Sequence, residues 1–547
     1  MKSKAKTEST AKTVGIVMII MVFSRLLSLF SVIAYTSFFG TESMEINIYS
    51  YAIQFPNIVF TVFGTALTTV VIPIFASNLE SGNKKRAYKF ADNVISLATA
   101  FTLGLSLLGI LLAPLLPLMT KYRANENDYN FAVWALRIMF PIMIFYALNY
   151  IFQGILQSLG KFNMPAFVSI PSSLIQIGYV YLLGDKYGVK GLLIATFIAL
   201  STQALILIPP ILKTDYKYKP SFNYRDEDIQ KAIKLMIPII IGTSAYPFNL
   251  FFNVTIAANL GEGNMVTMLT LVQNLVSYAV LAFIYSVTAV AFPKFSALAS
   301  KSDISEFKDS VVKVLTSMFY FLMPATAGFI LVRKELLNLI VGWKKFTPED
   351  VELASVLMSL YALGVVGMGV KEVIDRAFYS LKDTKAPAII GVIVMAVNIS
   401  VSLLLMNIIG VYGIPIAYSV SILTGAAVLL LLLRKKIGAF GGKKLIRVII
   451  KIAISCIVMS AVVLPLTWLL NGHTFRAGLI TGAVQKIIPS VSSGIINLLQ
   501  QLTDRAIKLC VPAGLGAIVY FASTYVLRVE EAVDVFKKLK AKLLKQN

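Results

Sequence analysis

The sequence predicts an all-α polytopic membrane protein of about 14 transmembrane helices: two six-helix lobes related by a parallel repeat, followed by two extra C-terminal helices. Composition, the spacing of apolar windows and an internal repeat carry that prediction. Of 547 residues, 57% are hydrophobic and 14% are charged, and mean hydropathy is +0.78. A soluble domain carries about a quarter charged residues, so a water-exposed enzyme, a disordered chain and a fibrous repeat all fit poorly.

Windows of about 20 or more mainly apolar residues, the length a hydrocarbon core requires, recur along the whole chain. They fall at roughly 14–38, 47–76, 92–119, 131–156, 164–184, 188–212, 235–258 and 265–293, then at 311–332, 352–380, 387–408, 411–433, 447–470 and 507–527. The first is too long for a signal-peptide core and has no evident small-residue cleavage site, so it counts as a helix. An even number places both termini on one side. With the N-terminus in the cytoplasm, 33 of the 50 Lys and Arg fall on that side, 11 face outward and six lie in or at the edge of spans. That is the positive-inside sense. The net charge of +23 is therefore read as topology signals and anionic-lipid contacts, with no nucleic-acid partner.

One long external segment, 471–506, carries Ile487, Ile488, Val491, Ile495, Ile496 and Leu499 at a spacing that suggests a helix lying on the outer interface. The closing FKKLKAKLLKQN reads as a short amphipathic surface helix.

The repeat is visible in short motifs. Ser158-Leu159-Gly160-Lys161 and Pro165-Ala166 match Ser380-Leu381-Lys382-Asp383 and Pro387-Ala388 at an offset of 222 residues. Gly188-Val189-Lys190-Gly191 matches Gly410-Val411-Tyr412-Gly413 at the same offset, and the segments around Pro73 and Pro293 match at 220. The expected organisation is an N-lobe over 1–225, a C-lobe over 226–440, and a terminal region over 441–547 with helices 13 and 14, the external loop and the basic tail. An even number of spans per half gives both halves one orientation, as in one class of secondary transporter. A duplicated scaffold without transport is the plainer alternative.

Ionisable groups at membrane depth normally face a cavity or a partner. Arg25 lies eleven residues into the first window, about 16 Å deep at the helical rise, with no acid in its own helix. Lys371 reaches similar depth in the tenth window, beside Glu372, Asp375 and Arg376. Asp375, at i+4, shares the face of Lys371, whereas Glu372 lies about 100° round the helix. A central binding role and an intrahelical pair both remain open for Lys371. For Arg376 and Arg137, snorkelling or a structural ion pair stands beside a binding role. Asn57 and Asn274 reach comparable depth and read either as site residues or as helix-packing amides. The candidate substrate-binding set is Arg25, Asn57, Asn274, Lys371, Asp375 and Arg376. Pro56, Pro141, Pro247, Pro293 and Pro324 read as kinks.

Catalysis finds no foothold. There is no phosphate loop and no nucleophile elbow, His473 is the single histidine, and Cys456 and Cys510 sit in apolar runs. No enzyme activity, metal site, disulfide or cofactor is expected.

Ser24-Arg25-Leu26-Leu27, Phe55-Pro56-Asn57, Leu136-Arg137-Ile138-Met139-Phe140-Pro141 and Lys371-Glu372 with Arg376-Ala377-Phe378-Tyr379 and Lys382-Asp383-Thr384-Lys385-Ala386-Pro387 give the chain its resemblance to a known family. It resembles the MurJ (MviN) family of lipid II flippases, in the superfamily of multidrug and polysaccharide exporters, over nearly its whole length. Where that family carries further cavity arginines and an aspartate, this chain has Ser31, Val32, Phe60 and Asn274. The resemblance implies a bacterial cytoplasmic-membrane flippase for an undecaprenyl-pyrophosphate-linked peptidoglycan precursor, acting by alternating access. It also implies that helices 13 and 14 form a groove for the lipid tail. Such a substrate needs cationic groups for its pyrophosphate, which Arg25 and Lys371, expected on opposite lobes, would supply. Without a nucleotide motif, energy would come from the membrane potential or a coupling ion. The partners expected are a lipid-linked anionic substrate, the membrane, a coupling ion and cell-wall synthesis enzymes. The alternatives are export of another lipid-linked polysaccharide or a drug, and a non-transporting scaffold for wall synthesis.

Overall fold

The computed structural model describes residue 20 and residues 23–161, 163–243, 245–261, 265–300, 304–343, 345–472 and 493–543. Among them every regular element is helical. The helices that correspond to the fourteen apolar windows are α1 (Phe23–Phe39), α2 (Met44–Glu80), α3 (Lys84–Leu112), α4 (Glu126–Ser158), α5 (Asn163–Leu182), α6 (Gly184–Leu212) and α7 (Glu227–Thr243 with Ala245–Ala257). They continue as α8 (Val266–Ser300), α9 (Ile304–Leu331), α10 (Pro348–Ser380), α11 (Lys385–Ile409), α12 (Gly413–Ile437), α13 (Gly442–Asn471) and α14 (Ser493–Val526). A fifteenth helix, α15 (Glu530–Leu543), follows.

The repeat governs where helices begin and end. α4 and α10 share both boundaries at the offset of 222, and α2 and α8 start 222 apart. Gly188 and Gly410 occupy one repeat position and both are left-handed, at φ 59° and 62°. The ends of α4 and α10 are closed by the same hydrogen bonds. Lys161 N donates to Leu156 O at 2.8 Å and Gly160 N to Gln157 O at 3.0 Å. Asp383 N donates to Phe378 O and Lys382 N to Tyr379 O, both at 3.0 Å. This pairing of orphan carbonyls requires a left-handed residue just past the helix, normally glycine. Gly160 supplies it at φ 74°, while exposed Lys382 is forced to φ 58°.

Two compact units can be distinguished. The first runs to Leu271 and includes Lys344–Phe346 and Ile399–Ile414. Its axis is α2, whose Ile46, Ile48, Tyr49, Tyr51 and Ala52 are fully buried against α3, α4 and α7. The α6–α7 connection is strapped along α3. Asp92 accepts from Tyr216 Oη at 2.7 Å and Lys219 N at 2.9 Å, Asn93 from Asn223 N at 3.1 Å, and Ser96 from Ser221 N at 3.0 Å. Arg86 then grips Asp228 at 2.7 Å, which holds that carboxyl below the usual carboxylate range.

The second unit holds Val272–Trp343, Thr347–Asn398 and the chain from Pro415. Here α9 packs between α10 and α13, and α13 against α14. Tyr320, Ile452, Met459, Val463 and Tyr520 form its terminal core, and Tyr520 Oη donates to Tyr320 O at 2.6 Å.

Kinks are fewer than the prolines. Pro141 interrupts α4, and Pro247 sits in the first turn of Ala245–Ala257, where a missing N–H is harmless. Pro56, Pro293 and Pro324 are carried inside continuous helices. At the break the Phe140 carbonyl accepts from Met143 N at 3.2 Å and also from Ser106 Oγ of α3 at 3.1 Å. α3 approaches closely there because Gly109 has no side chain; a Cβ would fall 2.3 Å from the Phe140 ring.

The expected interface helix in 471–506 is partly displaced. Its residues Ile487, Ile488 and Val491 lie outside the described residues, as does the N-terminal tail. From Ser493 onward the segment is the opening of α14, because no helix breaker separates Ile495 from Cys510. α15 does follow the last span. It is anchored by buried Val529 and Ala532, by Phe536 stacked 4.4 Å from Tyr525, and by Lys444–Glu530.

The matched helix ends make a stability prediction of opposite sign at equivalent positions. Lys382→Gly removes left-handed strain at no loss of burial and should stabilise by about 0.5–1 kcal/mol, raising the melting temperature by about 0.5–1 °C. Gly160→Ala should lower it by a similar amount. A thermal melt of both variants in detergent checks this, and a lower melting temperature for Lys382→Gly would refute the strain.

Candidate functional site

Rotation of α1 is set by serines. Ser24 Oγ donates to Ala166 O at 3.0 Å, Ser28 meets Ser173 at 3.2 Å, and Ser31 donates to Gln176 Oε1. Residues 24, 28 and 31 share one helical face, so this seam docks α1 on α5. Arg25 lies about 100° off that face and is exposed. It has no carboxylate partner among the described residues. Ser31, which stands where the resembled family has an arginine, is buried in the seam and points away from the face of Arg25.

On α2, Asn57 is exposed, and Thr61 Oγ1 donates to its backbone oxygen at 2.7 Å and to its Oδ1 at 3.3 Å. Phe60, the next expected arginine position, is 1% exposed between Tyr146 and Tyr150, with ring centroids 5.7 Å away on each side. Two of the missing arginines are thus replaced by packing residues. Asn274 on α8 is half-buried.

On α10, four charges form two interleaved pairs. Lys371 Nζ donates to Asp375 Oδ2 at 2.6 Å, and Arg376 Nη2 donates to Glu372 Oε1 at 2.7 Å. Both are i, i+4 pairs, one residue out of step, so they lie on adjacent faces. The Asp375 side chain is 9% exposed, and its Oδ1 has no partner among the described residues. The Arg376 guanidinium also lies 5.7 Å from the Phe292 ring centre. Of the two acids open to Lys371, the structure selects Asp375, leaving Glu372 to Arg376. The quartet is electrically neutral at rest.

A second feature was legible only through resemblance. α9, α13 and α14 enclose an apolar groove of about 240 Å³ beside Pro324, Gly328, Met459, Val463, Gly516 and Tyr520. The small residues at positions 324, 328, 513 and 516 are the sequence signal that helices there part or approach closely. Sequence reasoning missed a clamp on α14. Arg505 Nη1 donates to Asn338 O at 2.8 Å and Gly342 O at 2.6 Å, and its guanidinium stacks 3.8 Å from the centre of the Trp343 ring. Asn471 donates to buried Glu335 at 2.6 Å. These bonds fasten the ends of α13 and α14 to the short helix Arg333–Ile340.

The geometry therefore offers an exposed cation in an apolar helix, a neutral ionic quartet in another, and an apolar groove. Comparison with known proteins gives these features a context. The sequence pattern described as "Lipid II flippase MurJ" matches residues 33–479. A probable lipid II flippase MurJ of Bdellovibrio bacteriovorus is 25% identical over 421 residues, covering 75% of this chain and 80% of that protein. A namesake from Rickettsia prowazekii is 25% identical over 391 residues, covering 70% and 76%. Among solved structures, a lipid II flippase MurJ in an inward closed conformation superposes with a TM-score of 0.70 at 20% identity. It covers 91% of this chain and 98% of that one, and so shares the fold. This chain belongs to the lipid II flippase MurJ family.

Proposed function

We propose that this chain flips lipid II, an undecaprenyl-pyrophosphate-linked peptidoglycan precursor, across the bacterial cytoplasmic membrane by alternating access. The family match over 33–479 carries the reading. It is a multi-pass membrane protein, and its fourteen spans leave the termini in the cytoplasm by the 33-to-11 distribution of Lys and Arg. The bodies that move are the repeated halves 1–225 and 226–440, with 441–547 appended to carry the tail groove.

Each candidate residue takes a role suited to its chemistry. Arg25 binds the pyrophosphate through its planar fork, which matches phosphate oxygens in pairs. Its exposure and lack of an acidic partner support this, because an arginine in an apolar helix is costly without one. Lys371 is a second phosphate ligand, held by Asp375 until substrate arrives. Arg376, braced by Glu372, offers its remaining guanidinium N–H donors, and Asn57 and Asn274 offer amides to the sugar. Motion against the membrane potential, worth about 2.3 kcal/mol per charge per 100 mV, or a coupling ion supplies the energy. Cell-wall synthesis enzymes are the partners that such an activity would feed.

The test is growth. In a wall-making bacterium depleted of its own lipid II flippase, this chain should restore growth, and Arg25→Ala should abolish rescue at normal membrane abundance. Arg25→Lys should keep part of it, since charge remains while the fork is lost. Rescue by the alanine variant would remove Arg25 from the site.

The quartet makes a separate prediction. Lys371→Ala should weaken lipid II binding by about ten- to a hundredfold, the worth of a charged hydrogen bond. Asp375→Asn should change the transport rate more than the affinity, because it frees the ammonium without removing it. Equal affinity for wild type and Lys371→Ala would take Lys371 out of the site.

Topology is checked by single cysteines in a chain with Cys456 and Cys510 replaced by Ser. A cysteine at position 480 should react with an impermeant thiol reagent outside the cell, and one at exposed position 443 should not. The reverse pattern would invert the orientation.

A further inference from the structure

A groove in the first unit is separate from the residues assigned above. It holds about 660 Å³ between the outer ends of α4, α5 and α6, within the size range of small-ligand sites. Its walls are aliphatic, with Ile175, Leu182, Ile194 and Ile198 exposed or half-buried along it. Trp134, Tyr179 and Tyr187 stand around it. From Lys190 to Ile198 the groove follows eight residues of α6, about 12 Å at the helical rise, close to the roughly 15 Å hydrocarbon depth of one leaflet.

Its shape depends on two glycines of the α5–α6 hairpin. Gly188 takes a left-handed φ of 59°, and its carbonyl accepts from Tyr179 Oη at 2.8 Å. That hydroxyl would lie 2.1 Å from a Cβ at Gly191, so only glycine fits there. Gly178, across the groove, has nothing within 4 Å of its Cβ position and so leaves the floor open.

The charge lies at one end. Lys190 lines the groove with Nζ 5.7 Å from the Phe131 ring, and Lys186 Nζ is 5.2 Å from the ring of Tyr187, another lining residue. Both are exposed, and neither has a carboxylate partner among the described residues; Asp185, the one acid between positions 181 and 195, is exposed and pairs with neither. Aromatic side chains with a polar edge and lysines with long stems are the groups that settle at a headgroup boundary.

We infer that this groove seats one acyl chain of an anionic phospholipid, with the lipid phosphate held by Lys186 and Lys190. An apolar channel one leaflet deep that ends in two unneutralised ammoniums fits that amphiphile. A free anion would leave the channel empty, and a zwitterionic lipid would place its own cation among the lysines. Lipid bound here would brace the α5–α6 hairpin against α4.

The experiment uses the full chain in detergent and counts bound lipid by native mass spectrometry, offering phosphatidylglycerol and phosphatidylcholine with the same acyl chains. Wild type should retain phosphatidylglycerol about thirtyfold better, the gain expected from two lysines at a headgroup. Lys186→Gln with Lys190→Gln should bring that ratio to near one. Gly178→Leu, whose Cβ meets nothing within 4 Å, fills the open floor and should lose both lipids while melting normally. The inference is overturned if Gly178→Leu binds phosphatidylglycerol as wild type does, or if the double glutamine variant keeps its preference. It also falls if glycerol phosphate displaces the lipid at equal concentration, which would make this a plain anion site, or if an uncharged polyprenol competes as well as phosphatidylglycerol.

Discussion

Every feature of this chain answers to one constraint: in hydrocarbon there is no water to satisfy a backbone N–H or C=O. α2 and α8 therefore run unbroken for 37 and 35 residues, carrying prolines inside them. Where a helix is interrupted, a neighbour supplies a donor. Ser106 reaches the Phe140 carbonyl at the break in α4. At the break in α10, Ser419 donates to Leu360 O at 2.6 Å and Thr326 to Ala362 O at 3.3 Å. The two breaks occupy nearly equivalent repeat positions, so duplication copied the interruption, while each half acquired its own hydroxyls to cover it.

The same solvent sorts the charges. Three acids of the apolar helices are paired along their own helix: Asp375 with Lys371, Glu372 with Arg376, and Asp504 with Lys508 at 2.8 Å. Arg505 uses carbonyls and a tryptophan face in place of an acid. Arg25 departs from this pattern. The serine seam turns it away from the helix that α1 packs on, so its charge must be met by water or by something that enters. An unneutralised guanidinium in an apolar helix is costly, and that cost is what supports the proposed role of Arg25.

Helix number and the repeat were legible because each rests on a local signal, hydropathy or an offset, that needs no tertiary information. The pairing of Lys371 with Asp375 was half-legible, since helical spacing puts the two on one face but does not forbid Glu372 from competing. What spacing could not reveal was the fate of the absent arginines. Phe60 and Ser31 are buried by contacts with Tyr146, Tyr150 and Gln176, which come from α4 and α5 and leave no trace in the sequence around them. The Arg505 clamp escaped for the same reason, because its acceptors are backbone carbonyls more than 160 residues away. The start of α14 was misplaced by reading hydropathy alone, where helix continuity through polar residues decides.

These replacements bear on how such a site would discriminate. On the proposed reading, with Ser31 and Phe60 turned to packing, binding charge would rest on Arg25 and on a quartet that is neutral until disturbed. Separating a buried ion pair costs about 3–5 kcal/mol, so on the proposed reading a ligand gains Lys371 only by offering a charge that replaces Asp375. On the proposed reading a pyrophosphate would take the place of Asp375 at the released ammonium, leaving that acid buried without a partner. That unpaired acid would raise the energy of the loaded state, so the same pair that selects the substrate would also favour its release.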